Sequence, residues 1–307
     1  MQAPTVAVVV ITYNSAADLP ACLDSLRNGG AEGVDLTDVV VVDNASSDAS
    51  VELAKATTGL PISVVQLLEN AGYAAGVNAG VDAVRGRPPE AVMVLNPDCR
   101  LLPGALATLA RALHVPGRGV VAPRLINPDG TLQPSLRRVP TLRGVVVEAV
   151  LGGRVADRLD VGELVFAEEQ HARAGVTPWA TGAALLMDWQ LLESVGPWNE
   201  DFLLYSEETE YLLRAGDHGW STWYEPAAVV EHRGGDSGIN PSLAALLTVN
   251  RVVLFEQRRG SVAGRMYSAA LVLGMAIRAA AGQRTARASL GALLFPSRRI
   301  TSLAQLG

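Results

Sequence analysis

Apolar residues in the first hundred positions fall in short, nearly unbroken blocks. Thr5 to Thr12, Val39 to Asp43 and Ala91 to Leu95 are rich in β-branched and aliphatic residues, and each ends in Asn, Asp, Ser or Pro. Such blocks predict strands buried on both faces. Ala16 to Arg27, Ala49 to Thr57 and Gly72 to Val84 read as helices between them, so strand and helix alternate as in a parallel α/β sheet. Leu101 to Leu113 predicts another helix, introduced by Pro103 and followed by the Pro116-Gly117 turn and a strand at Gly119 to Ala122. Residues 127–178 mix turn signals with a basic pair, Arg137-Arg138, and an acidic pair, Glu168-Glu169, and predict a partly mobile region over a site. Thr181 to Met187 and Thr222 to Val230 read as strands and Glu207 to Ala215 as a helix, and beyond Asn240 the chain becomes helical and rich in Ala, Leu and Arg.

Composition narrows the class. With 307 residues, 49% of them hydrophobic, the chain can bury one large core or two moderate ones, which excludes a disordered protein. The net charge is −6, yet residues 251–307 hold nine arginines against Glu256 alone, a balance of +8 that leaves −14 on residues 1–250. An acidic body argues against nucleic-acid binding, and the basic, apolar tail suggests peripheral contact with an anionic membrane; solvation of terminal helices and an interface between copies of the chain are the competing readings. Cys22 and Cys99 form no Cys-x-x-Cys, which excludes a disulfide scaffold and a thiolate zinc site and fits a reducing compartment. Met1 to Pro4 leads into a strand without the marks of a secretory signal. Met266 to Ile277 lies between Arg265 and Arg278, short of the about 20 apolar residues of a membrane span. The expected location is the cytoplasm, with the inner face of the cell membrane as a peripheral site.

Candidate chemistry lies at strand ends. No Gly-rich turn follows the first strand, and the only lysine, Lys55, follows no phosphate-loop glycines, which excludes dinucleotide-binding oxidoreductases and P-loop NTPases. Gly235-Asp236-Ser237-Gly238 matches the nucleophile tetrapeptide of chymotrypsin-like proteases, but an α/β start contradicts that context, so the match is coincidental. Thr12-Tyr13-Asn14, Asp43-Asn44-Ala45-Ser46, Asn70-Ala71-Gly72-Tyr73 with Asn78, and Asn96-Pro97-Asp98 each suit a turn or helix cap. Together they mark the carboxyl edge of a sheet, where α/β folds bind ligands. Trp179, Trp189, Trp198, Trp220 and Trp223 fit either an acceptor groove that stacks on sugars or a core.

Taken together, Val9-Val10-Ile11-Thr12-Tyr13-Asn14, Val41-Val42-Asp43-Asn44-Ala45-Ser46-Ser47-Asp48, Asn70 to Asn78, Leu95-Asn96-Pro97-Asp98 and Tyr205 to Glu210 resemble the family 2 glycosyltransferases of the GT-A fold, over roughly residues 5–240. Asn96-Pro97-Asp98 in place of Asp-x-Asp, the segment Asn127 to Pro134, and Glu231-His232-Arg233-Gly234-Gly235 resemble the rhamnosyltransferase-type branch. The resemblance implies a Rossmann-like, mixed but mostly parallel central sheet flanked by helices. It implies a transferase domain over 1–240, with the donor half at about 1–125 and the acceptor and catalytic half at about 126–240, then a helical extension over 241–307.

It also implies a reaction: inverting transfer from a UDP- or dTDP-type nucleotide sugar, in particular dTDP-L-rhamnose, to a hydroxyl of a lipid-linked or polymeric glycan. Thr12, Tyr13, Asn14, Asp43, Asn44, Asn70, Gly72, Asn78, Asn96 and Asp98 would hold the donor, with Asp43 and Asn44 at the base. Asp98, and secondarily His232, would hold Mg²⁺ or Mn²⁺ against the diphosphate. Asn96, where many relatives have a first aspartate, implies that metal affinity is largely borrowed from the nucleotide. Of the pair Glu207-Glu208, Glu208 matches the general base, while Glu210 is spaced to pair with Arg214. Arg137 and Arg138 fit either a loop closing on the diphosphate or a solvated surface. The alternatives are a nucleotidyltransferase and a non-catalytic nucleotide- or glycan-binding module.

Overall fold

The computed structural model describes residues 3–234 and 240–303; the Gly235-Asp236-Ser237-Gly238 tetrapeptide lies outside them. Eleven strands form among them: β1 (Thr5–Thr12), β2 (Asp35–Asp43), β3 (Ile62–Gln66), β4 (Ala91–Leu95), β5 (Cys99–Leu101), β6 (Arg118–Ile126), β7 (Leu136–Arg137), β8 (Gly175–Thr177), β9 (Trp179–Ala180), β10 (Ala184–Asp188) and β11 (Ser221–His232). Nine of them make one sheet in the order β3-β2-β1-β4-β10-β6-β11-β5, with β8 against β11, and β7 pairs β9 in a separate ribbon. β3, β2, β1 and β4 are mutually parallel, β10 runs antiparallel between β4 and β6, and β11 is parallel to β6. This is the mixed, mostly parallel sheet that the motifs imply.

The helices are α1 (Leu19–Ser25), α2 (Ser50–Ala56), α3 (Tyr73–Val84), α4 (Ala105–Leu113), α5 (Leu142–Leu151), α6 (Gly153–Arg158), α7 (Glu168–His171), α8 (Trp189–Val195), α9 (Glu207–Asp217), α10 (Pro241–Arg259), α11 (Ser261–Ala280) and α12 (Arg284–Leu294). Alternate residues of β1 enter different cores: Val6, Val8 and Val10 join Leu23 of α1 and Leu106 of α4, whereas Ala7, Val9 and Ile11 join Val77 of α3 and Tyr211 of α9. The period of two explains why the central strands are apolar throughout. α3 lies so close to β1 that a Cβ at Gly80 would sit 2.2 Å from Val9 Cγ1, and one at Gly76 would sit 2.7 Å from Ile11 Cγ2. The glycines of the Asn70 to Asn78 stretch and the turn after it thus bring the helix down onto the sheet.

The structure corrects one expectation. Leu101 ends a strand, and the helix starts only at Ala105, after Pro103 and a left-handed Gly104 (φ 71°). Residues 127–178 are folded, with ribbon β7–β9, helices α5 to α7 and strand β8, and Thr141 caps α5 by accepting from the Gly144 amide at 2.9 Å. Beyond Asn240, α10, α11 and α12 pack on one another and α11 packs on α5. Their core includes Phe255 and Tyr267 stacked at 4.2 Å between ring centroids, beside Val145 and Leu271. Among the described residues no helix is long and apolar enough to cross a membrane.

Candidate active site

Two residues past the ends of β1 and β2 stand left-handed residues, Asn14 (φ 49°) and Ala45 (φ 58°), in the loops that follow. Asn14 stitches them: its amide N–H donates to Ser46 Oγ at 2.9 Å and its Oδ1 accepts from the Ser47 amide at 2.8 Å. The buried Asp43 carboxylate accepts from the Thr12 hydroxyl at 3.1 Å and the Ser46 amide at 2.9 Å. Asn14 and Asp43 therefore shape the sheet edge from behind. In front lies a cleft of about 360 Å³ lined by Thr12, Tyr13, Asn44, Asn70, Gly72, Tyr73, Asn96 and Pro97, with Leu204, Asn240, Leu243 and Leu303 also on its walls.

Local geometry explains several of these residues. Gly72 has φ 97°, and a Cβ there would lie 2.2 Å from Leu203 O, so the entry to α3 requires glycine. Asn44 Nδ2 donates to Gly72 O at 3.3 Å, while its Oδ1 and that of Asn96 are buried with no partner. Buried acceptors of this kind suit a ligand donor such as N3–H of uracil or thymine. Asn78 stands apart from the cleft. Its Nδ2 donates to Trp198 O at 3.0 Å and Glu200 Oε1 at 2.7 Å, and its Oδ1 accepts from the Trp198 amide at 2.8 Å, so its side chain is committed to the loop beyond α8.

At one end of the sheet edge, antiparallel pairing of β5 with β11 sets Cys99 opposite His232. His232 Nε2 lies 3.4 Å from Asp98 Oδ1, and ligand atoms of Asp98, Cys99 and His232 fall within 4.8 Å of one another. Burial pushes the Cys99 thiol well up, and it donates to Ala183 O at 3.4 Å. It stays a neutral thiol, leaving one carboxylate oxygen and one imidazole nitrogen as donors. That set fits a divalent cation that completes its shell with phosphate and water.

Tyr205 (φ 69°) and Ser206 (φ 74°) are consecutive left-handed residues at the entrance to α9, a strained geometry that needs support. Asn250 of α10 supplies it, donating to Leu204 O at 3.0 Å and Tyr205 O at 2.9 Å. Glu207 and Glu208 follow, each with a buried Oε2 lacking a partner. Burial pushes both carboxyls up. The charge of Glu208 adds to the push on Glu207, and the nearby Arg137 guanidinium counters the push on Glu208. Glu208 lines a cavity of about 50 Å³ with Trp179, Tyr205 and Arg251. Gly182 stands between Glu208 and the main cleft: a Cβ on Gly182 would lie 3.1 Å from Glu208 Cβ, and the Gly182 carbonyl accepts from the hydroxyl of the cleft residue Tyr73 at 3.0 Å.

Neither reading of Arg137 and Arg138 survives. Arg137 is folded inward, donating to Pro134 O and Leu136 O at 3.0 Å each, 5.6 Å from the Trp179 ring centre, and Arg138 is committed to Asp157 at 2.9 Å and Asp160 at 2.8 Å. Trp179, Trp189 and Trp198 are buried, so they are core rather than groove. Sequence reasoning gave Tyr73 no role of its own within its motif and missed Asn250, whose signal was a lone amide in the largely aliphatic stretch Leu246 to Leu254.

Comparison with known proteins matches this arrangement. Residues 7–157 match the family model described as glycosyl transferase family 2. The N-acetylglucosaminyl-diphospho-decaprenol L-rhamnosyltransferase of Mycobacterium tuberculosis (strain ATCC 25618 / H37Rv) is 28% identical over 246 residues, which cover 76% of this chain and 78% of that protein. The low-salt glycan biosynthesis hexosyltransferase Agl10 of Haloferax volcanii is 26% identical over 209 residues, covering 68% of this chain and 60% of that one. In fold, the chain resembles the mannosyltransferase PcManGT of Pyrobaculum calidifontis, solved with GDP-Man and Mn²⁺ (TM-score 0.58, 20% identity, 97% of this chain and 83% of that one). It also resembles GalNAc-T7, solved with UDP, GalNAc and Mn²⁺ (TM-score 0.60, 14% identity, 81% of this chain), of which it spans about half, 48%. The fold is that of the GT-A glycosyltransferases. Residues 7–157 belong to glycosyltransferase family 2, and the chain is rhamnosyltransferase-like.

Proposed function

We propose that the protein transfers L-rhamnose from dTDP-L-rhamnose, or a sugar from a related UDP-type donor, to a hydroxyl of a lipid-linked or polymeric glycan. The observation that carries this reading is the cleft whose wall joins Thr12, Asn44, Gly72 and Asn96 at the carboxyl ends of parallel strands. The rhamnosyltransferase likeness supports the sugar, and the name of that relative supports a lipid-linked acceptor. Residues 1–240 form the transferase unit, and the extension over 241–307 contributes Leu243 and Leu303 to the cleft wall.

In this reading Asn44 and Asn96 offer their free carbonyl oxygens to the donor, and Thr12 and Tyr13 border the nucleoside. A divalent cation, when bound by Asp98 and His232, neutralises the diphosphate. Glu208 takes the proton of the acceptor hydroxyl; that oxygen bonds to the anomeric carbon as the bond to the diphosphate oxygen breaks, and the diphosphate leaves with the electron pair. One in-line displacement inverts the anomeric centre. The test is release of dTDP or UDP from nucleotide sugars in the presence of a lipid-linked acceptor and Mn²⁺. Asp98→Asn should abolish turnover and most metal-dependent nucleotide binding. Undiminished Mn²⁺ dependence in that variant would remove Asp98 from the site.

A further inference from the structure

His232 is held from behind by a one-way chain of hydrogen bonds. The chain begins at Asp129, whose carboxyl is held below the usual range by the Thr131 hydroxyl at 2.6 Å and the Thr131 amide at 3.0 Å. An ionised carboxylate only accepts, so the Thr131 proton is committed to it. Thr131 Oγ1 then accepts from Asn127 Nδ2 at 2.9 Å. With its nitrogen turned that way, Asn127 presents Oδ1 to Gln133 and accepts from Nε2 at 3.1 Å; the same Nε2 reaches the His232 carbonyl at 3.4 Å. Gln133 is thereby oriented with Oε1 toward His232 Nδ1, at 2.6 Å. A carbonyl oxygen cannot donate, so the proton of that bond sits on Nδ1.

We infer that Gln133, oriented through Asn127 and Thr131 by Asp129, is a positioning residue that fixes the His232 tautomer and presents a bare Nε2 to the cation beside Asp98. The inference rests on the donor-site reading above. Reversing the chain would flip both amides and aim Asn127 Oδ1 at a hydroxyl oxygen whose proton is already given to Asp129. Two acceptors would then face each other. The turn that holds the chain is itself built for it: Asn127 N–H donates to Thr131 O at 2.8 Å, and Gly130 sits at φ 81°. A polar residue behind a metal-ligating imidazole commonly sets its tautomer and ring orientation. The Asn127-Pro128-Asp129-Gly130-Thr131-Leu132-Gln133 run thus carries a definite task although only its last side chain touches His232.

The full chain with ¹⁵N-labelled histidine gives the direct readout, because long-range ¹H–¹⁵N spectra above neutral pH separate a protonated ring nitrogen from a bare one without any metal. The four histidines are assigned with His232→Gln. The wild type should show Nδ1–H at His232. Gln133→Leu should lose that signature and weaken Mn²⁺ binding, titrated with dTDP present, by about 10- to 100-fold, with metal-free dTDP binding unchanged. Gln133→Glu keeps an acceptor at Nδ1 and should retain the tautomer. Asp129→Ala, at an exposed turn, should weaken Mn²⁺ binding in the same direction by removing the acceptor that commits the Thr131 proton. A wild-type His232 protonated on Nε2 alone, or wild-type Mn²⁺ affinity in both Gln133→Leu and Asp129→Ala, overturns the inference. Failure of the wild type to bind dTDP at all, with Nδ1–H still observed, overturns the donor reading instead and supports the tautomer assignment.

Discussion

Glu208 and Glu210 lie two positions apart in the first turn of α9, and their carboxylates are used in opposite ways. Glu210 makes a two-pronged pair with Arg214, at 2.8 and 3.1 Å, and Arg214 goes on to the carbonyls of Val195 at 2.7 Å and Pro197 at 2.8 Å. Glu208 keeps a buried oxygen with no partner. Loss of a general base costs about 10²- to 10⁴-fold in rate, so Glu208→Gln should lower kcat by that order with donor affinity nearly unchanged. Glu210→Gln should leave kcat near wild type and destabilise the fold by about 1–3 kcal/mol, as loss of a charged hydrogen-bond partner does. Steady-state kinetics and thermal melts on both variants separate the roles, and near-native turnover of Glu208→Gln would turn attention to Glu207 and Asp201.

Glu207 should make stability depend on pH. Burial and the charge of Glu208 hold its carboxyl well above the usual value in the folded chain, so between those two values the folded state binds more protons than the unfolded one. Stability from this group is complete below the unfolded pKa and is lost as pH rises through the folded one. Glu207→Gln removes the titration. The variant should melt close to wild type near pH 4 and above it at pH 8. A constant offset across that range would show that Glu207 ionises normally in the fold.

Asn250 should matter to catalysis although it touches no candidate substrate atom. Its two hydrogen bonds hold the left-handed Tyr205-Ser206 pair that aims Glu208. Asn250→Ala should lower kcat and destabilise the chain by about 1–3 kcal/mol, with KM for the donor little changed because the cleft walls at Thr12 and Asn44 are untouched. Unaltered kcat in a destabilised variant would confine Asn250 to folding.

The legible part of the molecule was the part whose periodicity and chemistry are local. β1 and β4 lie where the apolar blocks predicted, since strands buried on both faces leave unbroken runs, and the left-handed position after β1 is an asparagine, a residue such turns favour. Edge strand β3, only partly buried, left no block to read. The ribbon Leu136–Arg137 with Trp179–Ala180 joins residues more than forty positions apart, and nothing near Arg137 in sequence announces that its guanidinium faces Glu208. Six of the residues assigned to the donor, Thr12, Tyr13, Asn44, Asn70, Gly72 and Asn96, line the cleft. Asn78 does not, because an amide entering a helix serves a neighbouring loop as readily as a ligand, and only the position of Trp198 decides between them.

The last prediction concerns the basic extension and the location of the acceptor. On α11, Val262, Met266, Leu273 and Ile277 recur at helical spacing on the face turned from the bundle and are 64%, 57%, 49% and 47% exposed. The adjoining α5 adds exposed Val146, Val150 and Leu151. Arg143, Arg154, Arg158, Arg265, Arg284 and Arg287, on these helices and on α6 and α12, are exposed as well. An apolar stripe with cationic neighbours suits the headgroup boundary of an anionic bilayer, where each basic residue near the surface contributes about 1 kcal/mol. The protein should therefore float with phosphatidylglycerol vesicles and much less with phosphatidylcholine, and high salt should release it. Met266→Glu with Leu273→Glu should abolish flotation and slow transfer to a lipid-linked acceptor, while hydrolysis of the nucleotide sugar stays near wild type. Equal recovery with both lipids would sink the idea, and loss of a dimer in light scattering of the double variant would give the face to a second copy of the chain.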